Sequence, residues 1–305
     1  MCPYRKQDVL IHSDDAGATE SVTRDIVSAW TSGVLDGFSI LANGQATDML
    51  ATGLANNAHR PARLSAHLNL SEGSSSAPPS ELPQLTDEEG CLKHTFFSLL
   101  ISLLFSTGAR RKSILHQIER EWRAQIQAIL RVSGTRKISA IDGHIHVHML
   151  PWTFAIACKL AREFGIEEIR ISREPFFINS LRDLFLPYYL VNIIKHLVLN
   201  TCSLFAIKIA RSFGMKYPSR IVGVLYSGHM TAARALCGID KIRDNGRIEL
   251  VFHVGQALAA EKSRWVNRES IADFYLSDLR SVELFEATQL RNILLSGNSG
   301  ECAPP

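Results

Sequence analysis

The sequence predicts an α/β fold, a distorted (β/α) barrel with mainly parallel strands and helical insertions. Short β-like runs alternate with amphipathic helical stretches along the chain, a pattern typical of parallel sheets. The length of 305 residues suits a closed or partly closed barrel better than an open doubly wound sheet. Polar clusters follow three of the predicted strands, at the carboxyl ends where the active sites of such sheets lie.

The strands are predicted where apolar, often β-branched runs lie between turn residues. These runs are residues 9–12, 34–42, 63–70, 138–141, 166–171, 220–226 and 248–252. Helices are predicted where apolar residues recur every three or four positions, and Gly33, Pro151 and Gly165 supply start or stop signals. The predicted helices are residues 19–32, 46–57, 95–106, 113–132, 151–164, 181–213 and 277–294. We expect a single domain over residues 1–305, with a Ser/Pro-rich loop at about 73–90 and an apolar helical insertion at about 181–214.

Composition and charge exclude several classes of protein. Charged residues make up 21% of the chain and apolar residues 46%, close to the globular average, so wholesale disorder is not expected. A formal charge of +3 is too small for a nucleic-acid footprint, and we expect no nucleic-acid partner. The six cysteines form no Cys-x-x-Cys pair, and the first residues lack the apolar stretch of a signal peptide. These features favour a cytoplasmic protein with reduced thiols.

Two adjacent carboxylates, Asp14 and Asp15, close the first predicted strand. Neighbouring residues on a strand point to opposite faces, so one of the two could merely cap the next helix. Past a strand end, however, a turn can aim both side chains at one site, where a cation relieves their repulsion. One carboxylate could then bind a metal while the other acts as a base.

Histidines follow two further strands. His67 ends one of them, and His144, His146 and His148 come directly after Asp142. If the segment with three histidines is extended, their imidazoles face one side; if the chain turns after the first, they diverge. Two imidazoles and one or two carboxylates around an open position are what a catalytic metal needs.

Other histidines carry weaker signals. His253 gains weight because it also lies at the end of a predicted strand. The role of His229 is left open. The remaining histidines have no such setting and are interpreted as structural or surface residues: His12, His59, His94, His116 and His196.

Three motifs together resemble the signature of the YdjC-like carbohydrate deacetylases: IHSDDAG at 11–17, HLNLSEG at 67–73 and DGHIHVH at 142–148. That family includes chitooligosaccharide deacetylase and a branch associated with hopanoid biosynthesis. The segments REP at 173–175 and LYSGHMT at 225–231 are similar to the latter branch. The resemblance spans about residues 8–290, and the order and spacing of the motifs make it specific.

The resemblance implies metal-dependent removal of an N-acetyl group from an amino sugar. Carried over by motif, the metal ligands would be Asp15, His67 and His144, with Asp14 as general base and His253 as acid. Zn, Ni or Co suits two imidazoles, and Mg is an option with added waters. The family more often has NADDFG and HPG where this chain has HSDDAG and HVG, which leaves the pocket shape and the substrate open.

Rival functions share parts of this pattern. An iron-dependent oxygenase also uses two histidines and one carboxylate, but such sites commonly place a histidine and an acid within one short motif. A metal-dependent amidohydrolase or phosphoesterase usually has its His-x-His motif in the first strand, whereas here it lies mid-chain. A noncatalytic sugar- or lipid-binding relative is disfavoured because every titratable motif position is occupied.

Two apolar stretches suggest contact with a membrane. Residues 96–105 are apolar apart from their serines, and residues 184–211 form a helical pattern with a broad apolar face and a basic-leaning polar face. Such a helix is suited to the lipid interface. We therefore expect a glycolipid or lipid-linked substrate at the inner face of the membrane. Burial of these stretches against the barrel or in a homodimer interface is the alternative.

Overall fold

The computed structural model describes residues 9–264 and 269–296, where seven strands form a single sheet. The strands are β1 (Val9–Ala16), β2 (Gly37–Ile40), β3 (Arg63–Leu68), β4 (Ile138–Gly143), β5 (Glu168–Ile169), β6 (Arg220–Val222) and β7 (Ile248–Phe252). Their order in the sheet is β5-β4-β3-β2-β1-β7-β6, and every pairing is parallel. The strands curl into a half-barrel with helices around it, so the predicted distorted (β/α) barrel is confirmed.

Helices connect the strands and cover the sheet. They are α1 (Glu20–Thr31), α2 (Thr47–Asn56), α3 (Phe96–Phe105), α4 (Gly108–Ser133), α5 (Pro151–Glu163), α6 (Pro187–Ser212), α7 (Ala232–Asp240), α8 (Glu269–Leu276) and α9 (Leu279–Ser296). The sequence pattern predicted all of these except α7 and α8. Both contain fewer than ten residues, too few to show a clear apolar period.

The first helix shows how local sequence determines these elements. The Thr19 hydroxyl caps α1 by accepting a hydrogen bond from the N–H of Val22 at 3.3 Å. Val22, Ile26 and Trp30 recur at helical spacing and are fully buried. Gly33 follows the helix with a φ of +90°, a conformation that favours glycine, so the chain can turn back toward β2.

The edge strand β5 is shorter than the predicted strand at residues 166–171. The N–H of Arg170 still donates to the carbonyl of Ile141 at 2.8 Å. The carbonyl of Arg170, however, accepts a hydrogen bond from the His148 imidazole at 2.9 Å. A side chain therefore takes the place of a strand partner at the carboxyl end of this edge.

The Ser/Pro-rich loop follows β3 and the helical insertion follows β5, so both leave the sheet at its carboxyl end. The Ser/Pro-rich loop contains a single 3₁₀ turn, Pro79–Glu81, and is tied to α4 by Glu121, which accepts the N–H groups of Ser76 and Ala77 at 2.9 Å each. The insertion comprises a 3₁₀ helix, Leu181–Phe185, and α6. Within the described ranges, α6 is the one helix long and apolar enough to cross a membrane, a test that core helices of soluble proteins also pass. The single-domain organisation stays a prediction.

Candidate metal centre and active site

The register of the parallel sheet brings the polar clusters to one edge. Ser13 on β1 pairs with Phe252 on β7, so Asp14 and His253 follow at neighbouring positions. On the other side, His67 on β3 pairs directly with Asp142 on β4. Because all the strands run in the same direction, the residues that end them meet at a common carboxyl edge.

The end of β1 turns so that both of its carboxylates are buried. Asp15 adopts a positive φ of 74°, and the pairing of β1 with β2 shifts between Ser13 and Ala16. Aspartate tolerates this left-handed region better than most residues. Asp14 and Asp15 are almost fully buried and meet different partners within one polar cluster.

Asp15, His67 and His144 form a compact buried group. Asp15 Oδ1 lies 3.6 Å from His67 Nε2 and 3.2 Å from His144 Nδ1. One ligand atom from each residue lies within 4.8 Å of the other two. A carboxylate and two imidazoles that leave a further position open are a donor set suited to a catalytic divalent metal.

A further carboxylate contacts the other ring nitrogen of each imidazole. His67 Nδ1 donates to Asp142 Oδ1 at 2.7 Å, and His144 Nε2 lies 2.9 Å from Glu72 Oε1. Metal-binding histidines generally use their second ring nitrogen in this way, which fixes the tautomer and the orientation of the ring. The nitrogens left facing Asp15 are His67 Nε2 and His144 Nδ1.

Arg280 holds the outer oxygen of Asp15. Its Nη1 donates to Asp15 Oδ2 at 3.1 Å, while its Nε donates to the carbonyl of Gly255 at 2.7 Å. Burial acts to raise the pKa of Asp15, but a hydrogen bond from His144, the nearby His67 imidazole and the charge of Arg280 hold it well below its usual range. Asp15 is therefore ionised at neutral pH, with Oδ1 directed toward the two imidazoles.

The two imidazoles are cationic in the absence of a metal. Burial acts to lower the pKa of His67, but the charges of Asp14 and Asp142 outweigh burial and raise the pKa to about 10. Burial also acts to lower the pKa of His144, but the charge of Glu72 and a hydrogen bond to Asp15 outweigh burial and raise the pKa to about 9. These protons balance the acidic cluster in the way that a bound cation would, and a metal would displace them. The charge of the cluster therefore fits a divalent ion.

A second group of potential ligands is occupied by an arginine. His12, Asp14 and Asp142 also have ligand atoms within 4.8 Å of one another. Arg170 donates to both oxygens of Asp14 at 2.9 Å each, lies 3.0 Å from Asp142 Oδ2 and donates to Glu249 at 2.7 Å. A guanidinium among three buried carboxylates already supplies their counter-charge, so this group does not require a metal.

Asp14, the expected general base, is an ionised and firmly held carboxylate. Burial acts to raise its pKa, but Arg170 and His67 outweigh burial and hold the pKa well below its usual range. Ser39 adds a hydrogen bond to Asp14 Oδ1 at 3.0 Å. Asp14 can therefore accept a proton at neutral pH, although its pairing with Arg170 lowers its basicity.

His253, the expected acid, follows β7 with its side chain 14% exposed. Its backbone N–H donates to Glu283, and its Nδ1 is buried with no hydrogen-bond partner in the part of the chain that the structure describes. Burial lowers the pKa of His253 to about 4, although Asp15 and Asp14 oppose this shift. His253 is therefore a neutral imidazole at neutral pH, and its Nδ1 lies 3.9 Å from Glu283 Oε2.

The chain turns after His144, so the three alternate histidines diverge. Ile145 and His146 have φ values of 45° and 62°, a region that is costly for a β-branched residue such as isoleucine. His146 lies within hydrogen-bond distance of a serine hydroxyl, and His148 donates to a backbone carbonyl. Of the three, only His144 reaches the group with Asp15.

Sequence reasoning missed four charged residues of this site. They are Glu72, Arg170, Glu249 and Arg280. Glu72 lies within the HLNLSEG motif, and Arg170 lies in a predicted strand, where a charged side chain is itself a signal. Arg280 has no such local signal, since it contacts Asp15 across 265 positions of the chain.

The chain is similar to known proteins over most of its length. A family model described as YdjC-like protein matches residues 8–289. A carbohydrate deacetylase from Xenopus laevis is 24% identical over 313 residues, an alignment that covers 97% of this chain and 96% of that protein. A chitooligosaccharide deacetylase from Escherichia fergusonii is 31% identical over 172 residues, which cover 56% of this chain and 62% of the relative. This chain thus spans less than two thirds of that bacterial relative.

A solved structure shares the fold. It is the crystal structure of an Enterococcus faecalis V583 protein that is named for a proposed cleavage of cellobiose-phosphate. It superposes with a TM-score of 0.62 and 19% sequence identity, covering 93% of this chain and 94% of that chain. At this level of identity the likeness establishes the fold alone.

Proposed function

We propose that this chain, which belongs to the YdjC-like protein family, is a hydrolase that removes the N-acetyl group from an amino sugar with a divalent metal ion. The observation that carries the proposal is the buried group of Asp15, His67 and His144, in which a second carboxylate supports each imidazole. Relatives named as carbohydrate and chitooligosaccharide deacetylases support the reaction class.

The proposed metal ligands are Asp15, His67 and His144. A divalent cation held by these residues would polarise the amide carbonyl and lower the pKa of a water molecule. Zn, Ni and Co suit two imidazoles and a carboxylate, and Mg would need additional waters. Asp142 and Glu72 would orient the two imidazoles, which typically strengthens metal binding.

Asp14 would take a proton from the attacking water. Its carboxylate is ionised at neutral pH, and two hydrogen bonds from Arg170 fix its orientation before the substrate binds. Because those hydrogen bonds lower its basicity, Asp14 suits a water whose own pKa has been lowered.

His253 would deliver a proton to the departing amine. It is neutral in the resting protein, so it must gain a proton during the reaction. The register of β1 with β7 places it at the position next to Asp14, which would hold the proton taken from water. Transfer of that proton from Asp14 through His253 to the nitrogen breaks the C–N bond and leaves acetic acid and an amine, with both residues restored; the acid then loses its remaining proton to solvent.

The substrate class that we favour is an N-acetylated sugar on a glycolipid or a lipid-linked saccharide, handled at the inner face of the membrane. The support is α6, which packs against the segment His144–Met149 and leaves apolar side chains exposed. The alternative is a free, soluble amino sugar.

Two other functions remain as alternatives: a metal enzyme of another reaction class, and a noncatalytic sugar- or lipid-binding relative. Hydrolysis requires a base beside the metal group, and Asp14 is held there as an ionised carboxylate. A noncatalytic relative does not require such a base, so the arrangement favours an enzyme, and the relatives named as deacetylases favour this reaction over other metal-dependent ones.

Acetate release tests the proposal. The protein is stripped with a chelator, reloaded separately with Zn, Ni, Co or Mg, and incubated with a panel of N-acetylated sugars and glycolipids. We expect acetate release that depends on the added metal and is lost in His144→Ala, which retains two protein ligands. His59→Ala, a change at an exposed histidine, should leave acetate release unaltered. Metal binding without acetate release from any substrate would favour a noncatalytic relative, and oxygen consumption with iron would favour an oxygenase.

A further inference from the structure

The outward face of α6 is an apolar stripe. Its exposed large side chains recur at spacings that place them along one side of a helix. They are Leu190, Val191, Ile194, Leu197, Leu204 and Phe205, each between 52% and 62% exposed. Contiguous apolar surface of this kind usually marks a site of interaction.

A second exposed apolar face belongs to α3. It consists of Phe97, Ile101, Leu104 and Phe105, of which the last is 83% exposed. Together, α3 and α6 carry more than half of the exposed large hydrophobic side chains in the described residues. Both helices pack against the segment His144–Met149, which begins with a proposed metal ligand. The two helices that carry these faces therefore lie beside the candidate active site.

The opposite face of α6 is packed into the protein. Leu199, Ala206 and Ala210 are fully buried, and the His196 imidazole hydrogen-bonds to the carbonyl of Glu174 at 3.0 Å. A helix attached in this way cannot be surrounded by lipid while the fold is intact. It can, however, lie in the plane of a membrane surface with its outward face immersed.

Charge favours an anionic membrane over other partners. Neither α3 nor α6 contains Asp or Glu. Exposed basic residues follow α3 at Arg110 and Lys112, and lie near the end of α6 at Lys208 and Arg211. Each basic residue near an anionic lipid surface strengthens binding by roughly fivefold. A second copy of the chain fits less well, because a twofold interface would bring together two basic surfaces whose helices contain no carboxylates.

We propose that the exposed faces of α3 and α6 form a docking surface that lies in the headgroup region of an anionic membrane and presents the active site to sugars carried on lipids. The substrate part of this proposal rests on the proposed deacetylase function, whereas the docking part does not.

Lys195 links the docking helix to the active site. It lies on α6 and makes no hydrogen bond or ion pair with any residue in the described ranges. Burial lowers the pKa of Lys195 to about 8, while the charges of Glu174 and Asp14 oppose that shift. Its own charge contributes to the lowered pKa of His253. The packing of α6 against the segment His144–Met149 places the inner side of this helix near the candidate active site.

Vesicle sedimentation of the full chain tests the docking part. We expect binding at low salt to vesicles that contain phosphatidylglycerol and little binding to phosphatidylcholine alone. The double change Ile194→Glu/Leu197→Glu should weaken binding by roughly tenfold or more, because it places charges where apolar contact is required. Lys208→Gln/Arg211→Gln should weaken binding by about fivefold per charge removed and reduce its salt dependence. The matched control is Phe285→Glu on α9, a residue 59% exposed, which should bind like the wild type.

Two results would overturn the docking part. One is a wild-type protein that stays in the supernatant with anionic vesicles at low salt. The other is a solution dimer that Leu197→Glu dissociates without any vesicle binding, which would assign the surface to a second copy. Each variant should have the same melting temperature as the wild type. Weaker vesicle binding then cannot result from unfolding.

Activity assays test the substrate part separately. Ile194→Glu/Leu197→Glu should deacetylate a soluble amino sugar like the wild type and lose activity toward a glycolipid in anionic vesicles. Full activity of this variant on the vesicle-borne substrate would overturn the substrate part. If the wild type releases acetate from neither substrate, the proposed deacetylase function fails, while the sedimentation result still decides the docking part.

Discussion

Glu72 Oε1 lies 2.9 Å from His144 Nε2, whereas the other ring nitrogen of His144 lies 3.2 Å from Asp15. Glu72 is fully buried, and the Tyr275 hydroxyl donates to the same Glu72 oxygen at 3.2 Å. A carboxylate held in this position fixes the imidazole so that Nδ1 faces Asp15. Glu72 is therefore a positioning residue for a proposed metal ligand rather than a ligand itself.

Glu72→Gln should weaken metal binding by roughly 10- to 100-fold, because the amide cannot orient and polarise His144 as the carboxylate does. Titration calorimetry on the chelator-treated protein measures this directly, without an activity assay. Glu121→Gln provides the control, since Glu121 is equally buried but accepts hydrogen bonds from the Ser/Pro-rich loop and from Gln125 rather than contacting a proposed metal ligand. If Glu72→Gln binds the metal as tightly as the wild type, Glu72 does not position a metal ligand.

Asp14→Asn should keep the bound metal but lose about two to four orders of magnitude in turnover, since the amide is nearly isosteric and cannot accept the proton. Metal content and kcat are measured on the same preparation. Asp36→Asn changes a carboxylate at the amino end of β2, away from the site, and should leave kcat unaltered. A variant of Asp14 with near-normal turnover would contradict the assignment of the base.

His253→Ala should lower kcat and keep the bound metal, because the proton that Asp14 takes from water would lose the imidazole through which it passes to the departing amine. The control is His229→Ala. His229 stacks on Tyr188 with ring centroids 3.6 Å apart, and its loss should leave kcat unaltered. A kcat of His253→Ala equal to that of the wild type would argue that His253 only orients its neighbours.

The fold was predictable because its signals are local. Apolar runs bounded by turn residues identify strands, and their alternation with helices predicts a parallel sheet, whose carboxyl ends must share an edge. Strand-end residues such as Asp15, His67 and His144 were therefore expected to converge before any distance was known. The length of β5 was not predictable, since a His148 side chain ends its hydrogen bonding.

The charge network of the site was much less accessible to sequence reasoning. Arg170 and Glu249 interact across 79 positions, and Arg280 reaches Asp15 across 265, so no periodicity or spacing relates them. The divergence of the histidines after His144 depends on the positive φ of Ile145, a conformation that isoleucine seldom adopts. Tertiary packing determines these features, and the local sequence pattern does not predict them.

His148 provides a test of the buried polar network through its effect on stability. It is fully buried; its Nε2 donates to the carbonyl of Arg170 at 2.9 Å, and its Nδ1 has no partner among the residues described. Burial lowers the pKa of His148 from 6.5 to about 4, although the hydrogen bond to Arg170 and the charge of Asp142 oppose the shift. The imidazole is therefore neutral in the folded protein at any pH above about 4.

Because its pKa is lower in the folded state than in the unfolded state, His148 makes the protein less stable as the pH falls. Below pH 6.5 the unfolded chain binds a proton that the folded chain rejects, and the penalty grows until the pH reaches about 4. We expect His148→Gln, which keeps a donor for the Arg170 carbonyl, to be less stable than the wild type at pH 7.5. Between pH 7.5 and pH 4, the difference in unfolding free energy between the two proteins should change in favour of the variant by on the order of 3 kcal/mol. Urea unfolding of both proteins across this range measures the difference, with His59→Gln, at an exposed position, as the control that should show no such trend. A stability difference between His148→Gln and the wild type that stays constant with pH would mean that His148 is not held neutral by burial.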